Sequence, residues 1–562
     1  MKTSILSTFS LAFSLVNGQW PVDLQATIIR ELEHITLDGS STNLKSMISP
    51  CSQYIDSTTG KADAKLGRQT AAEWIRTTFH DFITGNTFTF SGGLDASIGF
   101  ELDRDENVGD AFNDALINFS YFFSSAVSMA DLVALGTVLA AGHCGGTPVV
   151  MRGGRVDATQ AGPTGVPKPQ DPLDKQLTQF ANVNFNRDDT IALTACGHSL
   201  GGVRKKSFPD VINGNPVGQQ EGTDGRVAFD TSVSNFDNSL VKEYLGSTGQ
   251  KGGPLVTTGN VEQRSDLRLY TSDQNQTMTR LSQSRDYFNN QCSGLFRRMI
   301  EQVPGGVRLT PQIDPTTTTN LKPYNLDLNF VWKGQMTLTG SLRYIQVAGS
   351  GAAPGSYAVK LVGRNGQTTA TQVTATKSAA DTGTGLYGPT YQYKFQLTFP
   401  ATTGLSGIQV GNTKFSLQDN MFVVPGLSSM TPRPPAFQPT PALNTQAAYS
   451  ANLTVAVSSL LSSLTSSRSS TNYIIQFLST NPPTTLKATF SIPSPQTGSV
   501  SPRIDAGTTA DLKLIGKTAG YGIYSGKVSK TMSAKQAYGM SVDVTATGQN
   551  IGGLGFYKVL RF

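Results

Sequence analysis

The chain has 562 residues, with 45 Lys and Arg against 39 Asp and Glu for a formal net charge of +6. That length exceeds a single hydrophobic core and predicts two or three domains. Charged residues make up 15% of the chain, below the roughly 25% of an average globular protein. The small, scattered charge excludes both a disordered polyelectrolyte and the basic stripe of a nucleic-acid binder.

Residues 1–18 carry Lys2, a mostly apolar run from Ile5 to Val16, then Asn17 and Gly18 before Gln19. This reads as a secretory signal cut after Gly18 and predicts a secreted, extracellular protein. No later stretch approaches the roughly 18 consecutive apolar residues of a membrane span, and Gly555 to Phe562 is too short and polar for a lipid-anchor tail. The four cysteines, Cys51, Cys144, Cys196 and Cys292, include no C-x-x-C pair, which argues against zinc and leaves three disulfide pairings open. Asn118, Asn275 and Asn452 open N-glycosylation sequons.

Helical patterns dominate the first half. Residues 64–82 place Ile75, Phe79 and Phe82 at helical spacing; 111–123 and 128–141 follow, the second capped by Ser128. Asp188-Asp189-Thr190 starts a helix that Gly201-Gly202 stops, and Asn235 to Leu245 and Thr279 to Val303 complete the set. Residues 304–325, with Pro304, Pro311, Pro315, Pro323 and the Thr316–Thr319 run, read as a linker. Beyond it, Phe330 to Trp332, Gln335 to Thr339, Tyr344 to Val347, Tyr391 to Phe399, Phe415 to Val424 and Leu486 to Ile492 alternate like strands. A helical exception is expected at Gln446 to Leu464, and the Pro-rich stretch Pro432 to Pro441 suggests a division near 427–442. The expected fold is multidomain: a mainly α domain over 19–303, then an all-β, sandwich-like region over 326–562 in one or two units.

Chemistry concentrates around two of the four histidines, His34, His80, His143 and His198. Arg76 and His80 are four apart and share a helix face. A base beside a fixed cation suits heterolysis of a peroxide, which needs one group to move a proton and another to stabilise growing negative charge. Asp81, with Asp95 and Ser97 two apart on a loop and the carbonyl of Gly93, offers an oxygen-only set of the kind calcium prefers.

The run from Arg76 through Phe79, His80 and Asp81 to Gly93-Leu94-Asp95-Ala96-Ser97 resembles the distal side of the plant/fungal/bacterial-type haem peroxidase superfamily. The insertion Ile83 to Gly92 is similar to that of secreted fungal (class II-like) members. The resemblance spans roughly residues 25–300. It implies His80 as distal acid–base, Arg76 as its electrostatic partner, Asn107 as the residue that orients His80, and Phe79 as the distal aromatic. Ala192 to Gly201 resembles the proximal helix, which implies His198 as the haem iron ligand, Phe229 as the proximal aromatic and Asp273 as the carboxylate behind His198. It further implies a proximal calcium held by Ser199, Asp230, Ser232, the carbonyl of Asn235 and Asp237, beside the distal calcium of Asp81, Gly93, Asp95 and Ser97. Asp131 and Arg155 match a buried ion pair, Pro167-Lys168-Pro169 matches the haem-edge channel, and Cys51–Cys144 with Cys196–Cys292 is the implied disulfide pairing.

The implied cofactors are one haem b and two calcium ions, and the implied partners are hydrogen peroxide and small phenolic donors. A manganese site is not expected: Glu73 fits one ligand position, but Gln69 and Arg204 stand where two carboxylates are needed. Of the three tryptophans, Trp20 and Trp332 flank the domain and Trp74 lies inside the distal helix, so no surface tryptophan is placed to relay electrons. Two other roles remain open at this stage. One is a catalytically degenerate fold serving as a cell-wall protein. The other is polysaccharide binding by the β region, with Trp332, Tyr391 and Tyr393 as a stacking surface, although strand core is the favoured reading of these three. A monomer is expected.

Overall fold

The computed structural model describes residues 28–550 apart from 30, 34, 37–43, 57–61, 64–66, 215–216, 218–224, 314–319, 348, 380–381, 418–420, 424–428, 432–445, 459–484, 519, 534–540 and 547–548. The signal-like segment, Trp20 and His34 lie outside these residues.

The helical half contains α1 (Thr70–Ile83), α2 (Ala111–Ser120), α3 (Met129–His143), α4 (Leu173–Asn182), α5 (Arg187–Gly197), α6 (Ser239–Gly246), α7 (Ser265–Tyr270), α8 (Gln276–Ser282) and α9 (Arg285–Glu301). Helix α3 is its centre, with every residue from Met129 to Ala141 buried. Apolar on all sides, it accepts neighbours all round, as a fully enclosed helix must. Ser128 caps it by accepting the Asp131 N–H. At Gly136 a Cβ would stand 2.6 Å from Phe119 Cζ and 3.3 Å from Trp74 Cβ, so only glycine lets α1 and α2 close on α3. The capping residue of α5 is Asn186 rather than Asp188: its side chain accepts the Asp189 N–H while Asp189 returns the bond, a reciprocal cap. The single helix expected over 279–303 is instead two, broken at Ser284, which caps α9. Helix α4 has no counterpart among the sequence expectations. Two disulfides, Cys51–Cys144 and Cys196–Cys292, tie this half together.

A short ladder, β1 (Gly202–Arg204) with β2 (Arg226–Ala228), follows α5. The rest of the strand content lies past residue 320. Strands β3 (Leu321–Val331), β4 (Gln335–Ile345), β5 (Ser356–Val362), β6 (Thr368–Lys377), β7 (Gly383–Gly385), β8 (Gly388–Pro400), β9 (Gly407–Val410) and β10 (Thr413–Ser416) form one antiparallel sheet in the order 10-9-5-6-8-4-3, with β7 on β8. A second comprises β11 (Met421–Val423), β12 (Ser429–Thr431), β13 (Gln446–Ser458), β14 (Thr485–Ser494), β15 (Arg503–Thr518), β16 (Tyr521–Ser533), β17 (Ser541–Ala546) and β18 (Gln549–Asn550), in the order 11-13-16-15-14-17-18, with β12 on β13. Tyr521 and Ile523 of the second sheet enter the core of the first, and Arg364 donates to the Tyr521 hydroxyl.

Two sequence expectations differ from the structure. The linker reading of 304–325 runs too far, because β3 begins at Leu321; Pro323 is accommodated on this edge strand, where a missing N–H costs least. The helix expected from Gln446 is strand β13, paired with β16 over its whole length. Tyr393 follows the favoured strand-core reading and not the sugar-stacking one: it is fully buried and donates its hydroxyl to the Pro354 carbonyl, and Tyr391 packs half-buried against the same core. The Trp332 side chain lies outside the described set.

The two halves are packed together. Glu33 is buried and bonds Lys322 Nζ at 2.6 Å and Arg343 Nη2 at 2.9 Å across the junction. Leu386, in the β7–β8 turn, seats on Gly142 at the end of α3. The β14–β15 hairpin places Ser499 and Ser501 over Gly99, and the Val500 N–H bonds the Gly99 carbonyl at 3.1 Å. No helix among the described residues is long and apolar enough to cross a membrane.

Candidate active site

A cavity of about 580 Å³ opens between α1 and α5, within the size range of small-molecule and cofactor sites. Arg76, Phe79 and His80 line one wall and His198 and Phe229 another, with Phe180, Leu269 and Phe296 among the apolar residues between them. Pro167, Lys168 and Pro169 also line it.

Helix α1 presents Arg76 and His80 one turn apart. Asn107 Nδ2 donates to the Glu101 carbonyl at 2.9 Å, which leaves Oδ1 to accept from His80 Nδ1 at 2.8 Å. That chain puts the proton on Nδ1 and turns a free Nε2 lone pair to the cavity as a base. Burial, and then the Arg76 charge, lower the His80 pKa well below the ordinary value. Arg76 is fixed by its Nη2 bond to the Val108 carbonyl at 2.9 Å and lies 4.4 Å from the Phe112 ring centroid; burial lowers its pKa to about 10, so it remains a cation at physiological pH.

On the opposite side His198 follows α5 directly, its ring stacked on Phe229 at 4.2 Å and an interplanar angle of 7°. Its Nδ1 bonds Asp266 Oδ2 at 2.7 Å. This corrects the expectation for Asp273: that carboxylate accepts the Thr277 N–H at 2.8 Å instead, and α7 supplies the buried Asp266. With Nδ1 committed, His198 has Nε2 for a metal, held and made more basic from behind.

Asp81 is fully buried and accepts the N–H groups of Asp95, Ala96 and Ile98, with Ser97 Oγ 3.5 Å away. Burial, and then the nearby Asp95 charge, raise its pKa well above normal; burial also raises that of Asp95. Gly93 stands at the head of this loop with φ +101. Near His198, the Ser232 hydroxyl lies 2.9 Å from Asp230 Oδ1, 3.4 Å from the Asn235 carbonyl and 3.5 Å from Asp237 Oδ1, while Ser199 Oγ bonds the Cys196 carbonyl. Burial raises Asp230 to about 6. Both clusters hold carboxylates that are costly to ionise without a cation. Among the described residues no group of three or more His, Cys, Asp or Glu forms a metal site; each of these two sets joins two carboxylates to hydroxyls and carbonyls.

Asp131 and Arg155 pair at 2.9 Å with both side chains buried, and Arg155 also donates to the Ile300 carbonyl. Glu73 pairs with Arg68 at 2.6 Å. Trp74 is buried within α1. Of the sequons, Asn118 is 3% exposed inside α2, so no glycan reaches it without unpacking the helix. Asn275 is half-buried and accepts from the Tyr244 hydroxyl. The Asn452 side chain lies outside the described set. His143 bonds Ser49 Oγ at 2.8 Å, away from the cavity.

A family model described as Peroxidase matches residues 57–285. A WSC domain-containing protein of Arthroderma benhamiae is 34% identical over 413 residues, 73% of this chain and 54% of that protein. That alignment is longer than the helical half, so the likeness runs into the β region. The chain spans about half the length of this relative. A lignin-forming anionic peroxidase of Nicotiana sylvestris is 28% identical over 238 residues (37% of this chain, 74% of that protein), and Peroxidase 9 of Arabidopsis thaliana is 26% identical over 254 residues (38% and 71%). Through its helical half, this chain belongs to the haem peroxidase superfamily.

Proposed function

We propose that the protein is a secreted peroxidase that holds one haem b, reduces hydrogen peroxide and oxidises small phenolic donors in one-electron steps. The observation that carries this reading is the pairing, across one cavity, of a neutral His80 beside the Arg76 cation with a His198 whose Nδ1 is taken by Asp266.

The residues present fit the cofactor: an apolar cavity of suitable size, one imidazole whose Nε2 would ligate iron, and a second kept as a base. When bound, haem supplies the redox equivalents for peroxide reduction. His80 Nε2 would take the proton from one peroxide oxygen and return it to the other, while Arg76 would stabilise the charge that grows on the leaving oxygen. The Phe79 and Phe112 rings flank the His80 imidazole at 6.0 and 4.6 Å between centroids and hold it in place. Asp266 keeps His198 in one tautomer and orientation.

Two calcium ions, one at Asp81, Gly93, Asp95 and Ser97 and one at Ser199, Asp230, Ser232, Asn235 and Asp237, would neutralise the buried carboxylates. Glu73 is engaged by Arg68, which supports a reading without a dedicated manganese site. The alternative, a catalytically degenerate wall protein, is disfavoured because the acid–base, cation and ligand positions are all filled. A polysaccharide role for the β region loses Tyr393 as a stacking residue, because that side chain is buried.

The test is a visible spectrum of the protein expressed with haem, before and after one equivalent of hydrogen peroxide. A Soret band that responds to peroxide and disappears in His198→Ala supports the reading; no Soret band in the wild-type protein refutes it.

A further inference from the structure

The His198 side of the cavity is connected to the protein surface by tyrosines that the proposed peroxide chemistry does not use. Tyr270 is fully buried at the end of α7, and its hydroxyl lies 3.4 Å from Asp266 Oδ2, the same oxygen that bonds His198. Its ring meets that of Tyr244 edge-on, at 5.2 Å between centroids and 67°. Tyr244, on α6, is half-buried and donates to Asn275 Oδ1 at 2.7 Å. Asp273 is close enough for its charge to act on Tyr244, and its Oδ1 is buried without a hydrogen-bond partner.

We propose that Tyr270 and Tyr244 form a redox relay that carries electrons from bulky phenolic donors at the surface to the His198 side of the cofactor pocket. The proposal rests on the haem peroxidase reading, which supplies the oxidant.

A core tyrosine needs one partner for its hydroxyl, and Asp266 alone would satisfy that need. Structural need does not place a second tyrosine ring against it, nor a carboxylate with a vacant lone pair beside that ring. Buried phenols resist ionisation, so electron and proton leave together. In the first step Tyr270 loses one electron to the peroxide-oxidised haem, and its proton moves along the hydrogen bond to Asp266. Tyr244 then gives one electron to the Tyr270 radical, which recovers its proton from Asp266, and the Tyr244 proton leaves to solvent. A surface phenol restores Tyr244 with one electron and one proton. Each passage therefore oxidises one donor phenol to its phenoxyl radical and fills one oxidising equivalent at the haem.

The test uses the full, haem-loaded chain and its Tyr270→Phe and Tyr244→Phe variants, which keep both rings. Each is mixed with one equivalent of hydrogen peroxide and frozen for electron paramagnetic resonance, with ring-deuterated tyrosine to assign the signal. In parallel, oxidation of a phenol immobilised on beads too large to enter the cavity is measured. The expected result is a tyrosyl signal in the wild type that is lost in Tyr270→Phe, with oxidation of the immobilised phenol lost in both variants. A Soret response to peroxide with no Tyr270-dependent radical, or undiminished oxidation of the immobilised phenol, overturns the relay and leaves the peroxidase reading intact. A wild-type protein with no Soret response overturns both.

Discussion

Replacing Glu33 by Leu tests whether the β region is an integral part of the molecule. Glu33 is 5% exposed and faces two cations from the other half of the chain. Arg343 is 3% exposed, and its Nε has no hydrogen-bond partner, so Glu33 is its main compensation. Removing one member of such a buried pair costs about 3–5 kcal/mol, because the other charge is left buried alone. The Lys322 side chain is 30% exposed, so its bond adds less than about 1 kcal/mol. The loss of about 3–5 kcal/mol falls on the junction and not on either core. In calorimetry, the β region of Glu33→Leu should therefore unfold ahead of the helical half, and proteases should cut sooner between 304 and 320. The double variant Glu33→Leu/Arg343→Met removes both charges and should recover most of the loss, since an apolar pair of similar volume replaces the ion pair at little cost. A single variant with wild-type calorimetry and proteolysis, or a double variant as damaged as the single one, would refute the reasoning.

Other outcomes follow from the cavity and its supports. His80→Leu removes the base and should slow the peroxide reaction by roughly 10²–10⁴-fold in stopped-flow absorbance. Because burial and the Arg76 charge lower the His80 pKa, the base stays unprotonated into acid: the wild-type rate should be flat across neutrality and fall only below about pH 6.5. Arg76→Leu removes one of the two depressing influences, so the fall should move to higher pH; an unmoved profile would mean that another group titrates. Asp266→Asn should raise the haem reduction potential and weaken haem retention by about 10–100-fold, whereas Asp273→Asn should leave the potential unchanged. The paired change Cys196→Ala/Cys292→Ala opens a loop of 96 residues and should cost about 2–5 kcal/mol in urea unfolding of the helical half.

Much of the helical half was legible because its signals are local. Ser128 before an apolar run, Arg76 and His80 one turn apart, and the glycines around 197–202 all act within a few residues of themselves. The proximal carboxylate was not legible. Ser265-Asp266 and Ser272-Asp273 are two Ser-Asp pairs seven residues apart, and spacing alone does not choose between them. The left-handed backbone at Gln274 and Asn275 ends the segment just past Asp273, and α7 brings Asp266 to the ring. Strand β13 misled for another reason: Ala447, Ala448 and Ala451 favour helix locally, yet β16 pairs with the segment from 446 to 458. That partner is some seventy residues away, and cross-strand contact outweighs local preference. Glu33 with Arg343 is likewise a pairing between distant residues that no window of sequence contains.

Both sulfur bridges join residues no later than Cys292, and no cysteine follows. During synthesis the helical half emerges first, and at roughly 5–20 residues per second the remainder takes on the order of ten to fifty seconds. That interval lets the helical half fold and become covalently closed before long strands exist to compete for its apolar surface. The β region then meets a finished template, with Glu33, Gly99 and Gly142 waiting as docking points. Such an order would make the slow, non-local assembly of two large antiparallel sheets a surface-guided event rather than a search from an open coil.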